Sequence, residues 1–288
     1  MIQTKKRISL EDAAALRALL GNPTAEICDN SIGNIFMWKD ALDTDWLGDG
    51  PLCLAEHYEG DTYYALRASD GDYIERIEAL LAAEGAPLHL CSLTEREVEL
   101  LRERFGERFS CEGDEDTADY LYDAAAFRSY AGRKYHSQKN HVNAFLKTYC
   151  DYDFLPCADE NELLAMLDEY EAAVNDTTES ALRESAACRR LIPMLPLLDL
   201  DARVLRIGGK TVGFCIMEAV GDTLMIHVEK GLPGYRGVYP MLVHLEACAY
   251  PDVTYINREE DDGNEGLRRS KRSYHPIRLL QKYSGVIE

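Results

Sequence analysis

Residues 202–231, ARVLRIGGKTVGFCIMEAVGDTLMIHVEKG, constrain the fold more than any other stretch of the chain. Three strand-length runs are separated by Gly208-Gly209 and by Gly221-Asp222. Such pairs supply the positive φ that tight hairpin turns require, so the segment reads as an antiparallel meander. The stretch YPMLVHLEACAY follows as a helix, with Pro240 suited to its first turn. Then come the strand VTYIN, a charged stretch, and a last strand near IRLLQKYSGVI.

The first half carries the same order more faintly. PLCLAEHY and DTYYALRAS form a hairpin over Glu59-Gly60. A helix over 72–84 with Asp72 as cap, the strand PLHLCSL, a helix over 94–105 and the strand DYLYDAAAF follow. Thr94 and Glu97 form a capping box, and Asp159 and Glu162 repeat that arrangement before the stripe Leu163, Met166, Leu167. The pattern predicts an α+β protein of two related domains, 1–150 and 151–288, joined near Tyr149–Phe154. Each is a mixed, mostly antiparallel sheet flanked by helices, and the second carries the candidate site.

A length of 288 residues suits two domains. The longest strongly apolar stretch, LIPMLPLL, is far below the ~20 residues of a membrane span, so none is expected. Glu11, Asp12 and Arg17 interrupt the first twenty residues, which read as a helix and not as a signal peptide. Nine cysteines, an odd number without a CxxC pair, predict reduced thiols in a cytoplasmic protein with no disulfide frame and no metal site.

A net charge of −20 argues against an extended nucleic-acid surface. Two cationic islands stand out against it. Residues 128–147 hold five Lys/Arg and 267–282 hold six, with no acid in either. In the second, Arg268, Lys271, Arg272 and His275 recur at i, i+3, i+4 and i+7, on one helix face beside the acids 259–262. That face suits a phosphate, although acids before a helix and cations along it also suit the helix dipole. In the first, Arg133, Lys134, His136, Lys139, Asn140 and Asn143 surround Tyr135, Val142, Phe145 and Leu146; the alternative there is a solvated helix face. His227 and Glu229 alternate with Ile226 and Val228, which places both on one strand face. They read either as a general base with its orienter or as a satisfied polar pair at a sheet edge. No Ser-His-Asp order, phosphate-binding glycine loop or dinucleotide fingerprint is present.

The segments YINREEDDGNEGLRRSKRSYHPIRLLQKY, GRKYHSQKNHVNAF and HVEKG resemble the family named for the C-terminal domain of phosphatidylglycerol lysyltransferase, over nearly the whole chain. The resemblance implies two tandem GNAT-like acyltransferase domains. In these an amine or hydroxyl attacks an activated acyl carbonyl held at a splay between two central strands. The donor is an aminoacyl-tRNA in lysyltransferases and acetyl-CoA in ordinary GNAT enzymes. Where the latter carry R/Q-x-x-G-x-G/A before a helix, this chain reads EKGLPGYRGVYP, with that Arg/Gln spacing missing and Pro233 removing one donor.

The resulting expectation is an acyl- or aminoacyl-transferase. Its donor is a small molecule or an aminoacyl-tRNA, with acyl-CoA or aminoacyl-tRNA as substrate and no resident cofactor. His227 or Glu229 would be the base, and Asn257 or Tyr274 would orient substrate. Arg268, Lys271 and Arg272, with Lys134 and Lys139, would hold phosphates, and Arg133, His136, Asn140, Asn143 and Lys230 fall on the family's motif positions. The alternative is a catalytically inactive ligand-binding or regulatory module, whose mark would be a splay filled by side chains.

Overall fold

The computed structural model describes residues 5–20, 27–47, 52–58, 60–67 and 70–288. Among these, fourteen strands form two sheets of seven. The first sheet contains β1 (Lys5–Arg7), β2 (Asp45–Leu47), β3 (Leu52–Tyr58), β4 (Asp61–Arg67), β5 (Leu88–Leu93) and β6 (Phe109–Gly113). The second contains β7 (Asp119–Asp123), β8 (Tyr152–Pro156), β9 (Asp201–Ile207), β10 (Lys210–Val220), β11 (Thr223–Gly231), β12 (Tyr255–Asn257) and β13 (Arg278–Leu280). The last strand, β14 (Tyr283–Ile287), returns to the first sheet. The orders are β1-β2-β3-β4-β5-β14-β6 and β13-β7-β12-β11-β10-β9-β8.

The helices are α1 (Ala13–Leu20), α2 (Ile32–Trp38), α3 (Asp70–Glu84), α4 (Glu95–Phe105), α5 (Ala124–Ser129), α6 (His136–Thr148), α7 (Glu160–Val174), α8 (Glu179–Leu191), α9 (Leu195–Leu198), α10 (Val238–Ala249) and α11 (Glu265–Ser273). Several boundaries follow from local chemistry. The Thr94–Glu97 capping box opens α4 as expected. Asp123 ends β7 because its carboxylate accepts from the amides of Ala125 and Ala126 and so starts α5. Asp159 caps α7, but Glu162 turns away to Arg206 and does not close the box. Asp72 lies inside α3 and not at its cap, and the cap position falls outside the described residues, as does Glu59 of the first hairpin. The N-terminal segment is a strand at Lys5–Arg7 before it becomes helical at Ala13.

The duplication is visible in the sheets. An antiparallel pair, β3-β4 or β10-β11, is followed by a short parallel contact, β4-β5 or β11-β12. The parallel register stops at Tyr64–Leu90 in one sheet and at Met225–Asn257 in the other. Two residues past each stop the backbone turns left-handed, at Ser92 (φ 50°) and at Glu259 (φ 55°). Each sheet therefore opens into a wedge at the equivalent place.

The division at residue 150 is crossed twice. β7 pairs with β12 and β13 in the second sheet, while β14 inserts between β5 and β6 in the first. The expected single last strand is thus two strands in different sheets, separated by Gln281 and Lys282. The cores also merge: Leu16, Phe36 and Met37 pack in one cluster with Leu167, Leu191, Phe214 and Val228. Helices of the first half therefore cover one face of the second sheet, whose other face carries α5, α6 and α10. Burying apolar surface across the junction ties the two units by the hydrophobic effect.

Candidate active site

The wedge between β11 and β12 gathers buried polar side chains. Here β11 bulges: Val228 faces Ile216 and Ile226 faces Met217, so His227 is the extra residue. An inserted residue flips everything after it. Ile226 packs with Met217 and Leu224 on the α10 side, and Val228 with Phe214 and Ile216 on the α2 side. His227 and Glu229 consequently point to opposite faces, which corrects the expectation drawn from simple alternation.

On the α2 face, His227 Nδ1 lies 2.9 Å from Glu259 Oε1 and Nε2 lies 3.5 Å from Glu218 Oε2. Glu218 also accepts from the Gly33 amide (2.8 Å) and from Arg17 (2.9 Å). Gly33 has no room for a side chain, because a Cβ there would stand 2.2 Å from His227 Nε2. Burial alone would discharge the imidazole, but the carboxylates of Glu218 and Glu259 outweigh it and push its pKa up to about 9. Two carboxylates that favour the charged form of the ring suit a positioning role.

On the α10 face, Arg258 Nη2 donates to both oxygens of Glu229, at 3.1 and 2.9 Å, and the guanidinium covers the Tyr274 ring at 4.9 Å. Glu246 of α10 is buried there too, and burial, followed by the charge of Glu229, pushes its pKa well above the usual carboxylate range. Two ion pairs, His227–Glu259 and Glu229–Arg258, therefore bridge the wedge from its two faces. Asn257 sits at its apex, donating to Asp119 (2.8 Å) and accepting from the Glu259 amide (2.7 Å). Lys230 points away and is paired with Glu184 of α8 at 2.7 Å.

The two cationic islands lie side by side. Gln138 donates to the Ser273 carbonyl (2.6 Å), and His275 donates to the Lys134 carbonyl (2.8 Å) with its ring edge against Tyr135. Their charges differ in availability. Arg268 forks onto Asp261 (2.7 and 3.0 Å) and also reaches Asp116. Arg272 meets Glu115. Lys271 is buried and donates to the carbonyls of Arg258 (2.5 Å), Glu259 (3.2 Å) and Glu260. The acids before α11 and those before β7 thus pair with Arg268 and Arg272, which accounts for part of the adjacency of opposite charges in the sequence. Arg133, Lys134, His136, Lys139, Asn140 and Asn143 are all exposed, while Tyr135, Val142 and Phe145 anchor the segment inward.

A cavity of about 530 Å³ lies at the junction of the sheets, lined by Asp29, Cys91, Ser92, Glu112, Gly113, Asp114, Thr117, Glu260, Lys282 and Ser284. Lys282 is its buried centre, with Nζ 2.7 Å from Glu260, 3.0 Å from Asp29 and 3.0 Å from Asp119. Cys28, Asp29 and Asp119 have the spacing of a metal-ligand set, but the Lys282 ammonium fills its centre. Burial pushes Asp119 up to about 6, whereas Lys282 and Arg67 overcome burial to hold Asp29 well below the usual carboxylate range. Ser92, in its left-handed conformation, donates to Asp29.

None of Glu218, Arg258, Glu246, Asp119 or Lys282 stood out as a site residue in the sequence. A signal was there for two of them: Glu218 in FCIMEAV and Glu246 in LVHLEACA are lone acids in apolar runs. Asp119 and Lys282 meet only because β7 and the β13–β14 connection cross between sheets.

A duplicated α+β fold with a wedge between its central parallel strands, each wedge ending in a buried polar cluster, defines a tandem GNAT-like protein of the acyl- and aminoacyl-transferase class. The chain belongs to the family phosphatidylglycerol lysyltransferase, C-terminal, whose model matches residues 24–285. Among solved structures, a conserved protein of unknown function from Bacteroides thetaiotaomicron is 28% identical, with each chain covered in full and a TM-score of 0.91. L-PGS from Bacillus licheniformis is 14% identical over 95% of this chain and 91% of its own, with a TM-score of 0.67. An uncharacterised protein of Mycoplasmoides gallisepticum is 22% identical over 73% of this chain and 67% of its own. Among the described residues no helix is long and apolar enough to cross a membrane.

Proposed function

We propose that the chain moves an aminoacyl group from an aminoacyl-tRNA to an amine or hydroxyl acceptor, with the second wedge holding the ester and the junction cavity beside it receiving the acceptor. The activity for which the family is named supports the class of reaction. The observation that carries the choice of donor is the covering of the α10 N-terminus by α6. A Cβ on Gly237, the residue before α10, would lie 2.6 Å from the His141 carbonyl oxygen, and the Arg236 amide is spent on the Tyr149 hydroxyl (3.1 Å). In GNAT enzymes that use acyl-CoA, this helix start takes the donor's phosphates. Here the residue before the helix is packed against a carbonyl oxygen and not against a cation, which disfavours an anion beside it.

The exposed, acid-free face of Arg133, Lys134, His136 and Lys139 offers phosphates a different place. Against a net charge of −20, an exposed run of cations without an acid in its sequence is a favourable place for RNA phosphates. The experiment offers purified protein labelled aminoacyl-tRNAs, acetyl-CoA and a panel of amine and hydroxyl acceptors. Transfer from tRNA but not from acetyl-CoA supports the proposal; transfer from acetyl-CoA alone overturns it.

A second reading, an inactive binding module, draws on the two ion pairs that bridge the wedge. It predicts that charged tRNA binds and no acyl group ever leaves it.

A further inference from the structure

Resting on the aminoacyl-transfer reading above, we propose that Arg258 is a catalytic residue whose free guanidinium nitrogen stabilises the oxyanion formed at the transferring acyl carbonyl. The side chain of Arg258 is 9% exposed. Its Nη2 is anchored on Glu229 and its face on Tyr274, yet its Nη1 is buried with no hydrogen-bond partner. Leaving buried donors unmet is costly, and a fold that only needed a latch would have satisfied both ends of the fork. The nearby acid does not bond to it, since Glu246 Oε1 is also buried and unpartnered.

Position matters as much as charge. Arg258 directly follows Asn257, the last residue in parallel register with β11, so its backbone leaves the sheet where the strands part. A guanidinium fixed at one nitrogen and open at the other is a pre-organised donor, aimed before charge develops and shielded from water. In the step it serves, the acceptor's nitrogen or oxygen bonds to the ester carbonyl carbon. The carbonyl π electrons move to oxygen, where the two N–H groups of Nη1 meet the negative charge. Collapse restores the carbonyl and breaks the bond to the tRNA 3′ oxygen, and the proton lost by the acceptor ends on that leaving hydroxyl.

The test compares two probes by calorimetry. One is the adenosine 3′-ester of 1,5-diaminopentylphosphonate, tetrahedral and anionic like the intermediate. The other is 3′-lysylamido-3′-deoxyadenosine, which is planar and unreactive. Wild type should prefer the tetrahedral probe by about 100-fold. Arg258→Lys keeps a cation for Glu229 but removes the fork, and should lose that preference while binding the planar probe unchanged. Where that variant fails to fold, Arg258→Met with Glu229→Leu removes both charges together so that neither is stranded, and should lose the preference equally. An unchanged preference in a folded variant, or equal loss of both probes, overturns the role of Arg258 alone. Wild type that binds neither probe overturns the aminoacyl-donor reading and this role with it.

Discussion

His227 Nδ1 and Glu259 Oε1 lie 2.9 Å apart across a gap that no strand-to-strand hydrogen bond spans. The bulge that turns His227 to this face and the left-handed turn at Glu259 are what let them meet. Because Glu218 sits on the other side of the ring, the imidazole holds together β10, β11 and the segment after β12.

The linkage has a definite sign. The pKa of His227 is raised from 6.5 to about 9 on folding, so its contribution is fully present below 6.5 and is lost as pH rises through 9. The shift corresponds to roughly 3 kcal/mol. Thermal melts of wild type and His227→Gln between pH 6 and 9.5 should show a gap that is widest at pH 6 and narrows steadily toward pH 9.5. A gap independent of pH would show that the ring is neutral in the folded protein.

Gly33 should be intolerant of even a methyl group. Gly33→Ala drives a Cβ to 2.2 Å from His227 Nε2 and should cost about 1–3 kcal/mol in denaturant unfolding. The same change should be much milder in a His227→Ala background, giving clear non-additivity. Additive losses would mean that the clash is relieved elsewhere.

Lys282 should be a junction residue of high cost. Lys282→Met strands Asp29, Asp119 and Glu260 without their shared cation, and should destabilise by about 3–5 kcal/mol near neutral pH. Part of that loss should return on acidification as Asp119, already at about 6, takes a proton more readily. Urea midpoints at pH 5 and 7.5 check it.

The fold was legible where chemistry is local. Glycine pairs mark the meander, Thr94–Glu97 marks α4, and the repeated order of elements marks the duplication. The exchange of β7 and β14 between sheets was not legible, because no local signal distinguishes a strand that stays from one that crosses. The site was legible in part. The cationic islands were visible as runs without acids, but that they touch, and that Arg268, Lys271 and Arg272 find partners in Asp261, Glu115 and backbone carbonyls, only tertiary folding delivers. A single-residue bulge undid the shared face of His227 and Glu229, and periodicity arguments have no way to register one extra residue.

The exposed island should carry phosphate binding on its own. Lys134→Glu with Lys139→Glu should weaken tRNA binding by at least tenfold at 0.1 M salt and flatten the dependence of log K on log salt by about two units. Arg272→Gln, which disturbs a cation already paired with Glu115, should leave that slope nearly unchanged. The reverse order of effects would return the phosphate role to α11.

The most direct measurement is single-turnover deacylation of radiolabelled aminoacyl-tRNA by the intact protein, with and without an amine acceptor, beside the same assay with labelled acetyl-CoA. The account predicts acceptor-dependent loss of label from tRNA into a small product, sensitive to salt, with none from acetyl-CoA. Label that stays on tRNA with every acceptor while tRNA remains bound, or label that moves only from acetyl-CoA, would contradict it.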